Sequence, residues 1–285
     1  SSDVCSSDIS PLLPHYQRGV HIDVDNNPLQ IPPIEIVEQG TEAVLRYFEE
    51  LEKYGSGYLY EAKLLIVGEP KSGKSTLRKK LIDPDYRPAP QGEEEETLGV
   101  HVLKNWTFDY TEDTTKKFVA NIWDFGGQDR QYPLHQYFLT EKSVYVLLSD
   151  DRRDNASLDK WFNMIRLLAG DLGNKNSILL LVLNQINRSN PASNFNEEKY
   201  QQQGFEFTRN ELDLLNDSYR LQNLTQDIQK ALSCLPHIGD ALPAYCPLVR
   251  RALEQLPDDY ITYERYEQLC DELHQQQPQY DLNQA

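Results

Sequence analysis

The sequence predicts an α/β fold, a doubly wound and mostly parallel six-stranded sheet with helices on both faces. Two observations point to it. Short apolar runs alternate with helical runs from Ala62 onward, and the first strand passes into the first helix through a glycine-bearing turn. Length agrees, because 285 residues hold one full α/β domain with segments to spare at both ends.

Several segments precede the sheet. Ser1-Ser2-Asp3-Val4-Cys5-Ser6-Ser7-Asp8 has no initiating Met and resembles translated adapter sequence, so residues 1–9 are set aside. Residues 20–29 alternate apolar and polar side chains and then turn at Asn27-Pro28. That pattern fits either the last unit of a leucine-rich repeat array or an ordinary strand and turn. A single repeat cannot bury its own face, so the first option implies a solenoid continuing upstream. Pro32-Pro33 breaks the pattern, and residues 37–51 place Val44, Leu45, Phe48 and Leu51 at helical spacing. Gly55-Ser56-Gly57 then reads as a flexible joint.

Within the sheet region, strands are expected at residues 63–67, 100–108, 118–123, 144–148, 178–183 and, from a weaker pattern, 211–214. Helices are expected near 75–81, 159–168 and 221–234. Residues 83–99 are rich in Pro, Gly and Glu without an apolar period and read as a mobile loop. Asn196 is placed to cap a short helix ending at Gly204.

Composition excludes several classes of function. A formal net charge of -17 argues against a nucleic-acid footprint, which needs clustered Lys and Arg. Cys5, Cys234, Cys246 and Cys270 form no C-x-x-C pair and no Cys/His metal spacing, so neither zinc nor disulfides are indicated. No apolar run approaches the roughly 18 to 20 residues of a membrane span, and no signal segment is visible. The chain reads as cytoplasmic, with neither nucleic acid nor membrane as a partner.

Gly68-Glu69-Pro70-Lys71-Ser72-Gly73-Lys74-Ser75 satisfies every fixed position of G-x-x-x-x-G-K-[ST], between the apolar Leu64-Leu65-Ile66-Val67 and the helical run Thr76-Leu77-Arg78-Lys79-Lys80-Leu81. This is the phosphate-binding loop of a P-loop NTPase. Its glycines let successive N–H groups point at phosphates, so Gly68, Lys71, Ser72, Gly73, Lys74, Ser75 and Thr76 are candidate nucleotide-binding residues. Lys74, on what reads as a solvent-facing loop, adds charge at the β/γ-phosphates, and the Ser75 hydroxyl can ligate Mg²⁺. After the third strand comes Asp124-Phe125-Gly126-Gly127-Gln128. A strand-end Asp124 can hold Mg²⁺ through water, Gly127 can offer its N–H to the γ-phosphate, and Gln128 can orient the attacking water. The Asp-Phe-Gly of protein kinases is rejected, because no His-Arg-Asp loop precedes it and the phosphate loop is of the other class. Thr97 is placed to reach the metal when triphosphate is bound.

These motifs, with Thr97-Leu98-Gly99-Val100, His135-Gln136-Tyr137-Phe138-Leu139-Thr140 and residues 143–151, resemble the Ras-of-complex-proteins (Roc) GTPase domain of the Roco family. The flanks agree: Asn27-Pro28-Leu29 through Leu51 is similar to the linker from leucine-rich repeats to Roc, and Leu242-Pro243 through Tyr266 resembles the entry into the C-terminal-of-Roc (COR) domain. The resemblance implies a Ras-like sheet and three regions: the end of the repeats and a linker helix at 1–57, Roc at 58–238, and the start of COR at 239–285. It implies GTP and GDP as ligands, Mg²⁺ as cofactor, catalytic roles for Gln128 and Lys74, and Ser75, Thr97 and Asp124 as the metal set. Protein partners would come through the repeats and COR, with a COR-mediated homodimer in the full-length protein and a monomeric fragment here.

One departure concerns the base. Where the family carries Asn-Lys-x-Asp, this chain has Asn184-Gln185-Ile186-Asn187. A carboxylate accepts from guanine N1–H and the exocyclic amine, whereas the Asn187 amide has one acceptor and a donor facing that amine. Gln185 also replaces the Lys whose stem covers the base, and Leu215-Asn216-Asp217-Ser218 does not match the family's Ser-Ala-Lys loop. Three readings stay open: a GTP-hydrolysing switch, a nucleotide-binding scaffold with little hydrolysis, and a P-loop NTPase with relaxed or ATP base preference.

Overall fold

A computed structural model of the chain describes residues 8–18, 29, 31–88, 100–126, 140–150, 155–168, 177–185, 195–258 and 260–276. In chain order the elements are α1 (Leu13–Gln17), α2 (Ile34–Val37), α3 (Thr41–Tyr54), β1 (Ser56–Tyr58), β2 (Glu61–Gly68), α4 (Lys74–Ile82), β3 (Val100–Asp109) and β4 (Lys117–Phe125). There follow β5 (Ser143–Asp150), α5 (Asn155–Leu168), β6 (Ile178–Asn184), α6 (Glu197–Gln202), β7 (Thr208–Leu212) and α7 (Ser218–Ser233). The chain ends with β8 (Ala241–Pro243), α8 (Tyr245–Glu254) and α9 (Tyr263–Gln276). They fall into two compact units, one spanning Tyr60–Ile238 and the other joining Ser1–Leu59 to Gly239–Ala285.

The first unit carries the expected six-stranded sheet, in the order β3-β4-β2-β5-β6-β7. Every pairing is parallel except β3 with β4, which is antiparallel. Strand β5 is buried at every position and β2 and β6 nearly so, which is why they read as continuous apolar runs rather than alternating ones. Alternation along those strands sorts their side chains onto two faces. Leu64, Ile66, Val144, Val146, Leu180 and Val182 pack on one side with Leu77 and Leu81 of α4 and Leu221, Leu224, Ile228 and Leu232 of α7. Leu65, Val67, Tyr145, Leu147, Leu179 and Leu181 pack on the other with Leu158, Trp161, Phe162 and Ile165 of α5. Burying each such aliphatic side chain contributes about 1.5–3 kcal/mol, so both helix layers are held by the sheet they cover.

Strand order reverses at β2, whose neighbours β4 and β5 both follow it in sequence. The carboxyl ends of β2, β4, β5 and β6 lie at one edge of the sheet, where open α/β sheets bind ligands. The last strand differs from expectation. It is Thr208–Leu212 rather than 211–214, because an edge strand pairs on one side only and Thr208-Arg209-Asn210 has no apolar pattern to announce it. The shift releases Asp213 and Leu214 into the loop beyond the strand.

In the second unit, β1 pairs antiparallel with β8, matching Ser56 to Pro243 and Tyr58 to Ala241. The expected joint at residues 55–57 is therefore a strand, since Gly55 O also accepts from Ala244 N. The expected helix over 37–51 is interrupted at Gly40, a residue poorly suited to a helix interior, and resumes as α3. The buried Tyr47 hydroxyl of α3 donates to Ala241 O at 2.7 Å, and Tyr245 donates to Glu50 Oε2 at 2.9 Å. Ile9 is buried against Tyr16 and Val44, so residues 8 and 9, set aside on sequence grounds, pack into this unit. The repeat-like stretch at 20–28 lies outside the described residues. No helix among the described residues is long and apolar enough to cross a membrane.

Candidate nucleotide-binding site

The phosphate loop joins β2 to α4 at the switch point. Gly68 sits at φ 137°, and a Cβ there would come 2.1 Å from Leu148 O on the neighbouring β5, so only glycine lets the two strands run this close. Gly73 ends the loop in a left-handed conformation, φ 103° and ψ 15°, with Asn184 Nδ2 and Leu214 Cδ1 within 2.9 Å of where a Cβ would be. It precedes α4 with no side-chain cap, leaving first-turn N–H groups for an anion to accept from.

The charged groups converge beneath this loop. Lys74 is buried rather than solvent-facing, at 6% exposure, and its Nζ donates to Glu69 O at 2.6 Å. Burial lowers its ammonium to about 8, against the pull of Asp124 and Glu69. Glu69 is held in turn by Trp161 Nε1, which donates to Oε1 at 3.1 Å. Asp124, at the end of β4, is fully buried, and Arg78 Nε donates to its Oδ2 at 3.1 Å. Burial pushes the Asp124 carboxyl upward, while the Ser75 hydroxyl, Lys74 and Arg78 draw it back toward the ionised form.

At this site, two buried oxygens of the described residues have no hydrogen-bond partner, Asp124 Oδ1 and Ser72 Oγ. A buried polar atom left unpaired is costly unless a ligand completes it. A carboxylate oxygen that can accept from metal-bound water and a hydroxyl that can donate to phosphate are the groups a Mg²⁺-nucleotide would engage. The residues present fit that ligand.

Asn184, at the end of β6, is buried and uses both ends of its amide. Nδ2 donates to Ser72 O at 3.0 Å, and Oδ1 accepts from Leu214 N at 3.2 Å. It thus ties the phosphate loop to the loop after β7. Gln185 turns away to that strand, its Nε2 donating to Glu211 Oε2 at 2.9 Å. The loop after β7 is shaped by Asp213, whose carboxylate accepts from Leu215 N and Asn216 Nδ2.

The structure brings together Gly68, Ser72, Gly73, Lys74, Ser75, Asp124 and Asn184. Lys71 lies on the exposed side of the loop at φ 65°, and Thr76 is half-buried in α4. Thr97, Gly127, Gln128 and Asn187 lie outside the described residues. Sequence reasoning missed Arg78, Asp213 and Leu214. Arg78 carried a usable signal: it lies four residues past Lys74, on the helix face that meets the sheet. Leu214 had been read as strand.

Residues 63–187 match the family described as "Ras of Complex, Roc, domain of DAPkinase". These residues are similar to a Roc domain. Among curated relatives, the probable serine/threonine-protein kinase pats1 of Dictyostelium discoideum is 32% identical over 152 residues, 49% of this chain and 5% of the relative. A Roc-COR-CHAT protease of Runella zeae is 29% identical over 154 residues, 50% of this chain and 16% of that protein. The structure of Methanosarcina barkeri Roco2 RocCORdC bound to GDP matches with a TM-score of 0.64 at 31% identity, over 76% of this chain and 62% of that one. The chain thus spans a small part, 5% and 16%, of the length of these two curated relatives. Its six-stranded sheet is the Ras-like one expected of a Roc domain.

Proposed function

We propose that this Roc domain binds GTP and GDP with Mg²⁺ and hydrolyses GTP, acting as a nucleotide-dependent switch in a Roco-type signalling protein. The observation that carries this reading is the convergence of the uncapped α4 terminus, Lys74, Ser75 and the buried, half-unpaired Asp124 at the sheet's switch point. The GDP bound to the Methanosarcina barkeri neighbour supports guanine nucleotide as the ligand.

Backbone N–H groups of residues 71–76 cradle the phosphates, and Lys74 exchanges its bond to the Glu69 carbonyl for phosphate oxygens. Ser75, Asp124 and Thr97 would hold Mg²⁺, which when bound neutralises charge on the β- and γ-phosphates. Gln128 orients the attacking water, and Gly127 offers its N–H to the γ-phosphate. Triphosphate orders Thr97 and Gly127, and hydrolysis releases them. Residues 58–238 form the GTPase region, 1–57 the end of a repeat region and linker, and 239–285 the start of COR. Partners reach the full-length protein through repeats and COR, which also dimerises it, in the cytoplasm.

A second reading, relaxed base choice, is favoured by Asn187 in place of the family's Asp and by Gln185, whose amide is engaged by Glu211. Chromatography of nucleotide released from the denatured protein tests both. GDP or GTP alone supports the first, mixed purines the second, and no nucleotide together with no binding of added GDP rejects both. Single-turnover hydrolysis by Gln128→Leu then separates switch from scaffold: slower GTP cleavage at unchanged affinity is expected of the switch.

A further inference from the structure

Nothing in the proposed switch uses Arg78, yet its side chain is the direct ionic partner of the buried Asp124. The Arg78 side chain is 12% exposed and that of Asp124 0%. Arg78 stands one turn past Lys74 on α4, a helix whose inner face otherwise presents Leu77 and Leu81 to the sheet. A pair this enclosed is screened little by water and salt, and removing either member leaves an uncompensated charge. The two cations of the site also differ in kind. Lys74 donates to the Glu69 carbonyl inside the phosphate loop, whereas Arg78 donates to Asp124, and a guanidinium keeps its proton at any relevant pH. Arg78 is therefore a permanent positive charge set against Asp124.

We infer that Arg78 is a built-in counter-ion on Asp124, standing in for part of the charge that Mg²⁺ would bring, so that this chain holds GDP with little dependence on Mg²⁺. It rests on the nucleotide-binding reading above. The geometry supplies the reason. Arg78 takes Oδ2 and neutralises the carboxylate, so Asp124 offers a cation only its second oxygen and little net charge. Arriving phosphates therefore meet Lys74 beneath the loop with the Asp124 charge already offset by Arg78. Arg78 is thus a positioning residue, acting on the metal through Asp124.

The test titrates a fluorescent GDP analogue into the full chain at millimolar Mg²⁺ and in EDTA, and reads the ratio of the two affinities. The wild type should lose less than about tenfold on removing Mg²⁺, and Arg78→Gln should lose about tenfold more than the wild type does, with its Mg²⁺ midpoint moved to lower concentration. Arg78→Lys, which restores a cation, should return toward the wild-type ratio. A role in holding the fold alone would weaken binding equally at both Mg²⁺ levels, so equal ratios in wild type and Arg78→Gln overturn the inference, as does a smaller ratio in the variant. If Arg78→Gln does not fold, the wild type decides: a loss above about tenfold overturns the inference, and a smaller loss supports it. Absence of saturable GDP binding by the wild type in Mg²⁺ overturns the nucleotide reading itself, and this inference with it.

Discussion

Replacing Asn184 with Ala removes one side chain and two buried hydrogen bonds, those to Ser72 O and from Leu214 N. Both backbone partners are enclosed, and a buried polar group left without a partner costs about 1–3 kcal/mol. With one of them taken up by water, the expected loss is about 2 kcal/mol. In a unit of this size a loss of about 1 kcal/mol lowers the melting temperature by roughly 2–4 °C, so Asn184→Ala should melt about 4–8 °C below the wild type. Urea unfolding should show a lower midpoint at unchanged slope, since the surface exposed on unfolding is the same. Nucleotide affinity should fall with stability, because Ser72 lies inside the phosphate loop. Asn184→Asp gives an internal control: it keeps the acceptor for Leu214 N but sets a carboxylate oxygen against the Ser72 carbonyl, and should be at least as damaging. Were Asn184→Ala to melt within about 2 °C of the wild type, the bridge between the two loops would contribute nothing and the reasoning would fail.

The remaining predictions touch other links of the same chain of argument. Gly68→Ala drives a Cβ to 2.1 Å from Leu148 O at a φ of 137°, and neither backbone can yield, so circular dichroism should register a loss above about 4 kcal/mol. A near-native melting curve would refute that contact. Burial lowers Lys74 from its ordinary 10.5 to about 8 in the folded state, so between those values the unfolded chain binds more protons and the residue adds stability as pH rises. Lys74→Met should therefore flatten the rise in stability from pH about 8 to about 10.5, and equal pH slopes in the two proteins would exclude a buried, charge-suppressed Lys74. Asn187→Asp should tighten GDP and GTP but not ADP in calorimetric titration, because a carboxylate restores two acceptors for guanine; unchanged relative affinities would remove Asn187 from base recognition. Tyr47→Phe strands the Ala241 carbonyl and should cost about 1–3 kcal/mol in urea unfolding, whereas a loss below about 0.5 kcal/mol would mean that the bond is idle.

The elements legible in sequence were those whose determinants are local or whose burial is complete. Strands β2, β4, β5 and β6 announced themselves as apolar runs. Helices α4, α5 and α7 showed helical spacing. Asn196 caps α6 as its side chain type suggests, accepting from Lys199 N. Elements with weaker local signals were misplaced. Edge strand β7 starts three residues earlier than its Glu211 and Leu212 suggested, and the glycine-flanked Ser56 joined a strand whose partner lies far down the chain.

The phosphate loop needed no fold to be recognised. Its chemistry requires two glycines, a lysine and a hydroxyl within eight residues, so spacing along the chain is itself the geometry. The same holds for Asp124 at the end of its strand. What the sequence could not determine was how distant side chains meet: Arg78 on Asp124, Asn184 between Ser72 and Leu214, Trp161 on Glu69, and Lys74 drawn out of water. Those contacts depend on strand register and helix rotation, where a shift of one residue turns a side chain to the opposite face. Only the folded sheet, with its order reversing at β2, brings these groups to one edge and sets the charge each of them carries.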